Sequence, residues 1–249
     1  MSATIAAAMN VHNDAPALRG ALECFARFFD NLFVLVTPPG GEKNKDDATC
    51  DVLREFGLEP HYDDIEKGFG VIRTRLIHEC GCDWAMVLDA DERFFPLLPI
   101  LHCEGTDGWS PGMEPRNHLK VEVRADICNQ GALLLALINN PEYKAIRATR
   151  RHWFDIGMRR PTQNWHITPD HQLRIVKNEG EIAYRSDVKM HERLIDSRTG
   201  DEPAHYKQGD YEGPFIEHMH PHFRFAYPGH KEANEAAYRR LEKGEPMIQ

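Results

Sequence analysis

Three carboxylates lie close together in the first half of the chain. Asp89, Asp91 and Glu92 follow directly after the short apolar run 85–88. That run has the length and composition of a strand buried on both faces of a parallel sheet. In an extended segment, side chains at positions i and i+2 point to the same side, so we expect Asp89 and Asp91 to face one point beyond the strand. Open α/β sheets bind their ligands in that crevice.

The spacing of these carboxylates predicts a divalent metal site. Asp89 and Asp91 would repel each other unless a cation lies between them. Hard oxygen ligands suit Mg²⁺ or Mn²⁺, which are often shared with the phosphates of a substrate. The alternative is a solvated acidic turn after a strand. The apolar run before the turn, and Trp84 at its start, favour the metal site.

The segment 83–93 reads Asp-Trp-Ala-Met-Val-Leu-Asp-Ala-Asp-Glu-Arg. It resembles the "dW-hydrophobic-LDADE" signature of family 2 glycosyltransferases with a GT-A fold. In that family the two aspartates hold a metal on the diphosphate of a nucleotide-sugar donor. The resemblance implies Mn²⁺ or Mg²⁺ as cofactor, a nucleotide-diphosphate sugar as donor and a hydroxyl acceptor such as a glycan or lipid-linked sugar. It also implies that Asp89 and Ala90 contact the donor, and that Asp91 serves catalysis as well as the metal.

The segment 172–194 is similar to a second pattern of that family. An alternating strand carries Arg174, a turn follows, an aromatic strand carries Tyr184, and a "vHE" motif ends in His191 and Glu192. The resemblance implies an inverting reaction in which Glu192 takes the proton of the acceptor. His191 would then orient the site or contact a phosphate.

Two other assignments of these acidic residues remain open. Glu92 is the reserve candidate for the base. Glu192 has a structural alternative, a salt bridge to Arg174 or Arg193.

The histidine-rich segment 218–222 occupies the place of the family's "I-x-H-hydrophobic-G" pattern. There a histidine after the last core strand can complete the metal shell. His218 matches that position, and His220 stands where the glycine would be, so we include both with Asp89 and Asp91 as candidate metal ligands. The alternative is a group of histidines packed on neighbouring aromatic residues.

Further donor-binding residues are implied by position. Asn10, His12 and Asn13 fill the loop after the predicted first strand, where the family carries an Asn/Glu pair. Thr37 stands where an aspartate would help to hold the base, so the base stays open. Arg73, eleven residues before Trp84, matches an arginine that approaches the diphosphate; it could instead be an exposed helix charge.

The predicted fold class is α/β, with a GT-A, Rossmann-like and mostly parallel central sheet flanked by helices. Strand 4–9, helix 17–29 and strand 31–36 form an opening βαβ unit. We expect a helix over 121–139 and a small antiparallel hairpin in the C-terminal half, formed by 172–177 and 182–184. The chain 1–249 is predicted to be one domain: a nucleotide-sugar half 1–95, a variable insertion 96–170, and an acceptor and catalytic half 171–249.

Composition excludes some classes. Thirty Lys and Arg against 39 Asp and Glu give a net charge of −9, which is not typical of a non-specific nucleic-acid binder. There is no apolar run of membrane-spanning length, and the apolar start lacks a basic region, so we read it as a strand rather than a signal peptide. The six cysteines form no C-x-x-C pair, which favours free thiols and a cytoplasmic location.

Other functions stay open at this point. The basic and aromatic stretch 147–165 could bind a sugar, a base or a phosphate, including a nucleic acid with a hydroxymethylated base, as in phage-type DNA modification. The interpretation that we favour is a solvated helix end with core tryptophans. A nucleotidyltransferase would use a similar sheet, but the Gly-rich phosphate loop is missing after the first strand. A non-catalytic nucleotide-sugar-binding module that kept the fold is the third class.

Overall fold

The computed structural model describes residues 2–104, 120–153, 170–185, 193–207 and 214–219. In these ranges the helices are α1 (Ala15–Phe25), α2 (Asp47–Glu55), α3 (Phe69–Glu79) and α4 (Gln130–Ile138), with short 3-10 turns at Gly41–Asn44 and Ile65–Lys67. The strands are β1 (Ile5–Val11), β2 (Asn31–Val36), β3 (His61–Tyr62), β4 (Trp84–Asp89), β5 (Glu92–Arg93), β6 (Leu97–Glu104), β7 (Lys120–Asn129), β8 (Ala145–Trp153), β9 (Asp170–Lys177), β10 (Ile182–Tyr184), β11 (Leu194–Asp196), β12 (His205–Tyr206) and β13 (Phe215–Met219).

The main sheet has the strand order β3-β2-β1-β4-β9-β8-β13-β5, with β12 beside β8. Strands β3, β2, β1 and β4 run parallel to one another, and β13 and β12 run parallel to β8. Antiparallel pairs join β9 to β4 and β8, and β5 to β13. The fold is therefore a mixed, mostly parallel sheet flanked by helices, which confirms the predicted α/β class.

The central strands are apolar along most of their length. Successive side chains of a strand point to opposite faces, so both faces of the sheet are buried. On one face, Met9 of β1 and Met86 of β4 pack in one cluster with Leu22 of α1. On the other, Ala8 and Val87 pack in a second cluster with α3. Asp14 is the N-cap of helix α1: its side chain accepts a hydrogen bond from the backbone N–H of Ala17. This packing leaves the carboxyl ends of β1, β2 and β4 together at one edge.

The predicted helix over 121–139 is wrong in its first half. Residues Lys120–Asn129 form β7, which pairs with β6 in a separate two-stranded sheet. The sequence 120–128 alternates polar and apolar residues, and this period of two fits a strand. The helix α4 begins only after Asn129, whose side chain caps it by accepting from the N–H of Ala132.

The predicted hairpin exists in the C-terminal half, but its strands were assigned wrongly. β10 pairs antiparallel with β11, whereas β9 lies between β4 and β8 in the main sheet. Three consecutive residues of β9, Arg174, Ile175 and Val176, are buried, as expected of a central strand covered on both faces. The basic stretch that starts at Arg147 was interpreted as a helix end, and that is wrong too, since 145–153 is β8.

The structure bears on the predictions about membrane spans and free thiols. Among the described residues, no helix is both long and apolar enough to cross a membrane. Four of the six cysteines, Cys24, Cys50, Cys80 and Cys82, are free thiols.

Candidate functional site

The acidic turn lies at the carboxyl edge of the main sheet, as predicted. Asp89 is the last residue of β4 and stands level with Asn10 of the parallel strand β1. Asp91 follows in the turn, and Glu92 is the first residue of β5, which pairs antiparallel with β13. The turn thus lies where α/β sheets bind ligands.

Asp89 is held by two arginines. Both of its carboxylate oxygens accept hydrogen bonds from Arg73 Nη2, at 3.0 and 2.9 Å. Oδ2 also accepts from Arg174 Nη2 at 3.1 Å. Burial alone would raise the pKa of the Asp89 carboxyl, but the charges of Arg73 and Arg174 outweigh it and hold that pKa well below its usual range. Asp89 is therefore an ionised acceptor for arginines from α3 and β9.

Glu92 is fully buried and ties the turn to three strands. Its Oε2 accepts the backbone N–H of Asp89 at 2.9 Å. Its Oε1 accepts from Arg150 Nη1 and from Arg174 Nη2, each at 3.3 Å. A carboxylate without exposed surface and with this many donors is a poor general base. The geometry gives Glu92 a structural role in fixing the turn.

Arg174 is the centre of this network, which joins the two resembling segments of the sequence. Its side chain is only 2% exposed. Burial would lower the pKa of its guanidinium, but the charges of Glu92 and Asp89 outweigh burial and raise it. Nearby, the hydroxyl of Tyr184 donates to the Leu173 carbonyl at 2.7 Å, and burial raises the pKa of Tyr184.

Asp91 and His218 form the part of the site that a metal could use. His218 Nε2 lies 3.4 Å from Asp91 Oδ2, and each side chain is 16% exposed. The pairing of β13 with β5 places His218 opposite Glu92, one residue from Asp91. Burial would lower the pKa of His218, but the charge of the Asp91 carboxylate outweighs burial and raises it.

The donor atoms of Asp91 and His218 fit a hard or borderline divalent ion. Two atoms that ligate one ion at about 2.1 Å, at right angles, lie roughly 3 Å apart, close to the separation seen here. The described residues contain no group of three or more His, Cys, Asp or Glu that could hold a metal. Mg²⁺ and Mn²⁺ commonly take one or two protein ligands and complete their shell with water and phosphate. The two residues therefore fit a metal shared with a substrate.

The predicted nucleotide-binding residues come together at the ends of β1 and β2. His12 Nδ1 lies 2.9 Å from the Thr37 carbonyl, and the Thr37 hydroxyl donates to the Val11 carbonyl at 3.2 Å. Asn13 has a positive φ of 40°, and its Oδ1 accepts from the N–H of Asp46. Asn10 Oδ1 is buried and has no hydrogen-bond partner among the described residues.

Some predicted residues lie outside the described part of the chain. These are His191, Glu192 and His220, so the predicted base and one predicted metal ligand stay predictions. Ala90, between the two aspartates, is described: its side chain joins the core cluster, and its carbonyl accepts from Arg93 Nη1 at 2.7 Å.

Sequence reasoning missed two arginines of this region. Arg150 was interpreted as part of a basic surface stretch, yet it binds Glu92. Arg93 was quoted within the acidic motif without a role, yet it is buried behind the turn. The sequence does contain a signal for Arg93, because it lies between the acidic motif and the apolar pair Phe94 and Phe95. A charged residue is seldom buried in such a place unless it is hydrogen-bonded or paired with another charge.

Comparison with known proteins gives distant structural likenesses. No protein-family profile matches the chain, and no curated protein matches it. Residues 1–349 of TarS from S. aureus, solved in complex with UDP, are 11% identical, with a TM-score of 0.47 over 90% of this chain and 62% of that one. A second structure of S. aureus TarS is 11% identical, with a TM-score of 0.44 over 96% of this chain and 40% of that one. This chain therefore spans less than two thirds of either, and the function proposed below rests on its own residues.

Proposed function

We propose that this chain is a metal-dependent glycosyltransferase of the GT-A type. It would move a sugar, with inversion, from a nucleotide-diphosphate sugar to a hydroxyl acceptor. The observation that carries the proposal is the pair Asp91 and His218, set 3.4 Å apart at the carboxyl edge of the sheet. Beside it lie an arginine-bound aspartate and the loops that end β1 and β2.

The chemistry that such a site must supply is stabilisation of the charge that builds up on the leaving diphosphate. When bound by Asp91 and His218, a divalent ion would supply that stabilisation as a Lewis acid. Arg73, which Asp89 holds at the same edge, adds fixed positive charge there without having to reorganise. Asp89 thus acts on the donor through Arg73 as well as through its own position.

Donor binding is assigned to the ends of β1 and β2. The backbone and side chains of His12, Asn13 and Thr37 already fix the shape of this loop. Asn10 Oδ1 supports the assignment, because a buried acceptor normally finds a donor, and a base N–H or a ribose hydroxyl would provide one.

The acceptor's proton goes to Glu192 in this proposal, with His191 orienting the site. Inversion needs a carboxylate on the side of the sugar opposite to the leaving group. The burial of Glu92 supports Glu192 by removing its competitor among the described carboxylates.

A nucleic-acid acceptor gains no support from the basic stretch. Of its arginines, Arg150 is paired with Glu92 and Arg147 lies 3.8 Å from Glu202. The net charge of −9 also gives no long-range attraction to nucleic-acid phosphates.

The test is to titrate the chain with Mn²⁺ and a panel of nucleoside diphosphates, and to assay a panel of nucleotide sugars for transfer and hydrolysis. We expect Asp91→Asn and His218→Gln each to weaken Mn²⁺ binding and to lower turnover by about 10²-fold or more, since a metal ligand is lost. Asp51→Asn, an exposed aspartate of α2, is the matched control and should behave as wild type. Unchanged Mn²⁺ affinity in both site variants would refute the proposal.

A further inference from the structure

Arg93 makes an arrangement of hydrogen bonds that the proposed reaction does not yet use. Its side chain is buried behind the acidic turn. Nη1 donates to the carbonyls of Ala90 and Glu92, each at 2.7 Å. Nη2 donates to the carbonyl of Ala17 at 3.1 Å. One guanidinium thus binds two segments of the chain that are 76 residues apart.

The two carbonyls bound by Nη1 flank Asp91. They belong to the residue before it and the residue after it, so a single nitrogen fixes both ends of the short backbone segment that carries the Asp91 side chain. The third carbonyl lies in the first turn of α1, and Asp14, the N-cap of that helix, directly follows the loop proposed to bind the nucleotide. Arg93 therefore connects the backbone of the metal-binding turn to the helix behind the donor loop.

Helix α1 approaches the guanidinium this closely only because residue 20 is glycine. A Cβ added at Gly20 would lie 2.7 Å from Arg93 Nη2, which is shorter than any ordinary contact. A second bond joins the same two segments nearby, since Cys24 Sγ donates to the Phe94 carbonyl at 3.1 Å. Helix and turn are thus packed around the Arg93 side chain.

Burying the charged Arg93 side chain costs desolvation free energy. The hydrogen-bond partners of Arg93 are neutral carbonyls rather than a carboxylate, and an apolar side chain of similar size would avoid the desolvation penalty. Burial lowers the pKa of Arg93, yet guanidinium stays protonated in proteins. What the cation adds over an apolar residue is three directed donors and a positive charge behind Asp91.

We propose that Arg93 is a positioning residue that sets the orientation of Asp91 and thereby the affinity of the metal site, and that Gly20 makes room for it. The inference rests on the function proposed above, because it assigns Asp91 to the metal. It goes beyond that function because it assigns an effect on metal affinity to a residue that is not itself a metal ligand and that connects the turn to α1.

The experiment is a Mn²⁺ titration of the full chain, followed by electron paramagnetic resonance of free and bound Mn²⁺. In Arg93→Met we expect the Kd for Mn²⁺ to rise about 10- to 100-fold, the range typical for groups that orient metal ligands. Gly20→Ala keeps the arginine but displaces its tip, so it should raise the Kd by a smaller factor. Arg93→Lys should recover part of the loss, because one ammonium can reach only some of the three carbonyls.

Leu53→Ala separates positioning from a general loss of stability. Leu53 is fully buried in α2, and its truncation should lower the melting temperature while leaving the Kd for Mn²⁺ and the spectrum of the bound ion unchanged. If Arg93→Met does not fold, Gly20→Ala and Arg93→Lys still decide the question. Their Kd values must both exceed that of wild type.

Asp91→Asn distinguishes the two ways to fail. The proposed function fails if wild type does not bind Mn²⁺, or if Asp91→Asn binds it as wild type does. If that binding exists, but the Arg93 and Gly20 variants bind Mn²⁺ as wild type does, the function stands and the positioning role of Arg93 is refuted.

Discussion

Two charged clusters differ in burial at their centres: one lies at the carboxyl edge of the main sheet, and the other joins the opposite edge of that sheet to the β10–β11 hairpin. The carboxyl-edge cluster consists of Arg73, Asp89, Glu92, Arg150 and Arg174. The opposite-edge cluster consists of Lys144, Glu179, Glu181, Asp196 and Arg198. Glu92 and Arg174 at the centre of the first are 0% and 2% exposed, whereas Lys144 and Arg198 in the second are 25% and 60% exposed.

The comparison shows that residue type alone does not tell a site from a surface. Both clusters contain basic and acidic side chains within 4 Å of one another. In the carboxyl-edge cluster the partners are mostly excluded from water, so loss of one partner leaves a charge that solvent cannot rescue. In the opposite-edge cluster the cations Lys144 and Arg198 are reached by water and salt, which replace a lost partner of theirs at little cost.

The largest expected effect is that of Arg174→Met. This change removes one donor from Asp89 and one from the fully buried Glu92, and breaking a buried ion pair in this way costs about 3–5 kcal/mol. The matched change Lys144→Met in the opposite-edge cluster should cost about 1 kcal/mol or less. Urea unfolding of the two variants at neutral pH measures both free energies.

A second change sharpens that comparison. Adding Glu92→Leu to Arg174→Met removes the buried carboxylate that has lost its Arg174 partner, so the double variant should be more stable than the single one. The comparison between the clusters breaks down if Arg174→Met destabilises the chain no more than Lys144→Met does.

A smaller effect separates the two aspartates of the turn. Asp89→Asn removes the charged acceptor of Arg73 and Arg174, and hydrogen bonds to charged groups contribute about 1.5–3 kcal/mol. Asp91→Asn should lower the free energy of unfolding by less, about 1 kcal/mol or below, because its contact with His218, at 3.4 Å, is longer than the bonds that Asp89 makes with Arg73 and Arg174. Thermal and urea unfolding in the absence of metal check the order of the two variants. A larger loss for Asp91→Asn would contradict the assignment of Asp89 to the arginines.

Part of this site could be predicted from the sequence, because the signals are local. The apolar run and the i, i+2 spacing placed Asp89 and Asp91 at the end of a strand, and the resemblance directed attention to His218. The partners of Asp89 and Glu92 could not be placed in this way. Arg174 is 85 residues from Asp89, and Arg150 is 58 residues from Glu92; contacts at such separations are set by strand order, which leaves no pattern in a short window.

The errors in the fold have the same origin. The apolar run 132–138 has the composition of a helix core, and extending it backward overrode the period of two in 120–128. The hairpin was assigned to β9 and β10 because they are adjacent in sequence, which is the usual case. β9 instead lies between β4 and β8, where it places Arg174 beside the acidic turn.

The smallest expected effect is the response of Asp196 to pH. Hydrogen bonds from the Arg198 side chain and backbone lower the pKa of Asp196 to about 2. In the unfolded chain an aspartate titrates near about 3.9. Because the folded pKa is the lower one, the carboxylate stabilises the fold above the unfolded value, and this contribution is lost as the pH falls from about 4 towards 2.

The stability gap between wild type and Asp196→Asn should therefore be small at neutral pH and should narrow as the pH falls below about 4. Added salt should narrow it further, because Arg198 is mostly exposed. Urea midpoints at pH 7, 4 and 2.5, each at low and high salt, measure it. The pKa of Asp89 also lies well below its usual range, but its arginines are shielded, so the gap for Asp89→Asn should respond much less to salt. If salt changes the stability difference from wild type equally for Asp196→Asn and Asp89→Asn, the two clusters do not differ in their shielding from solvent.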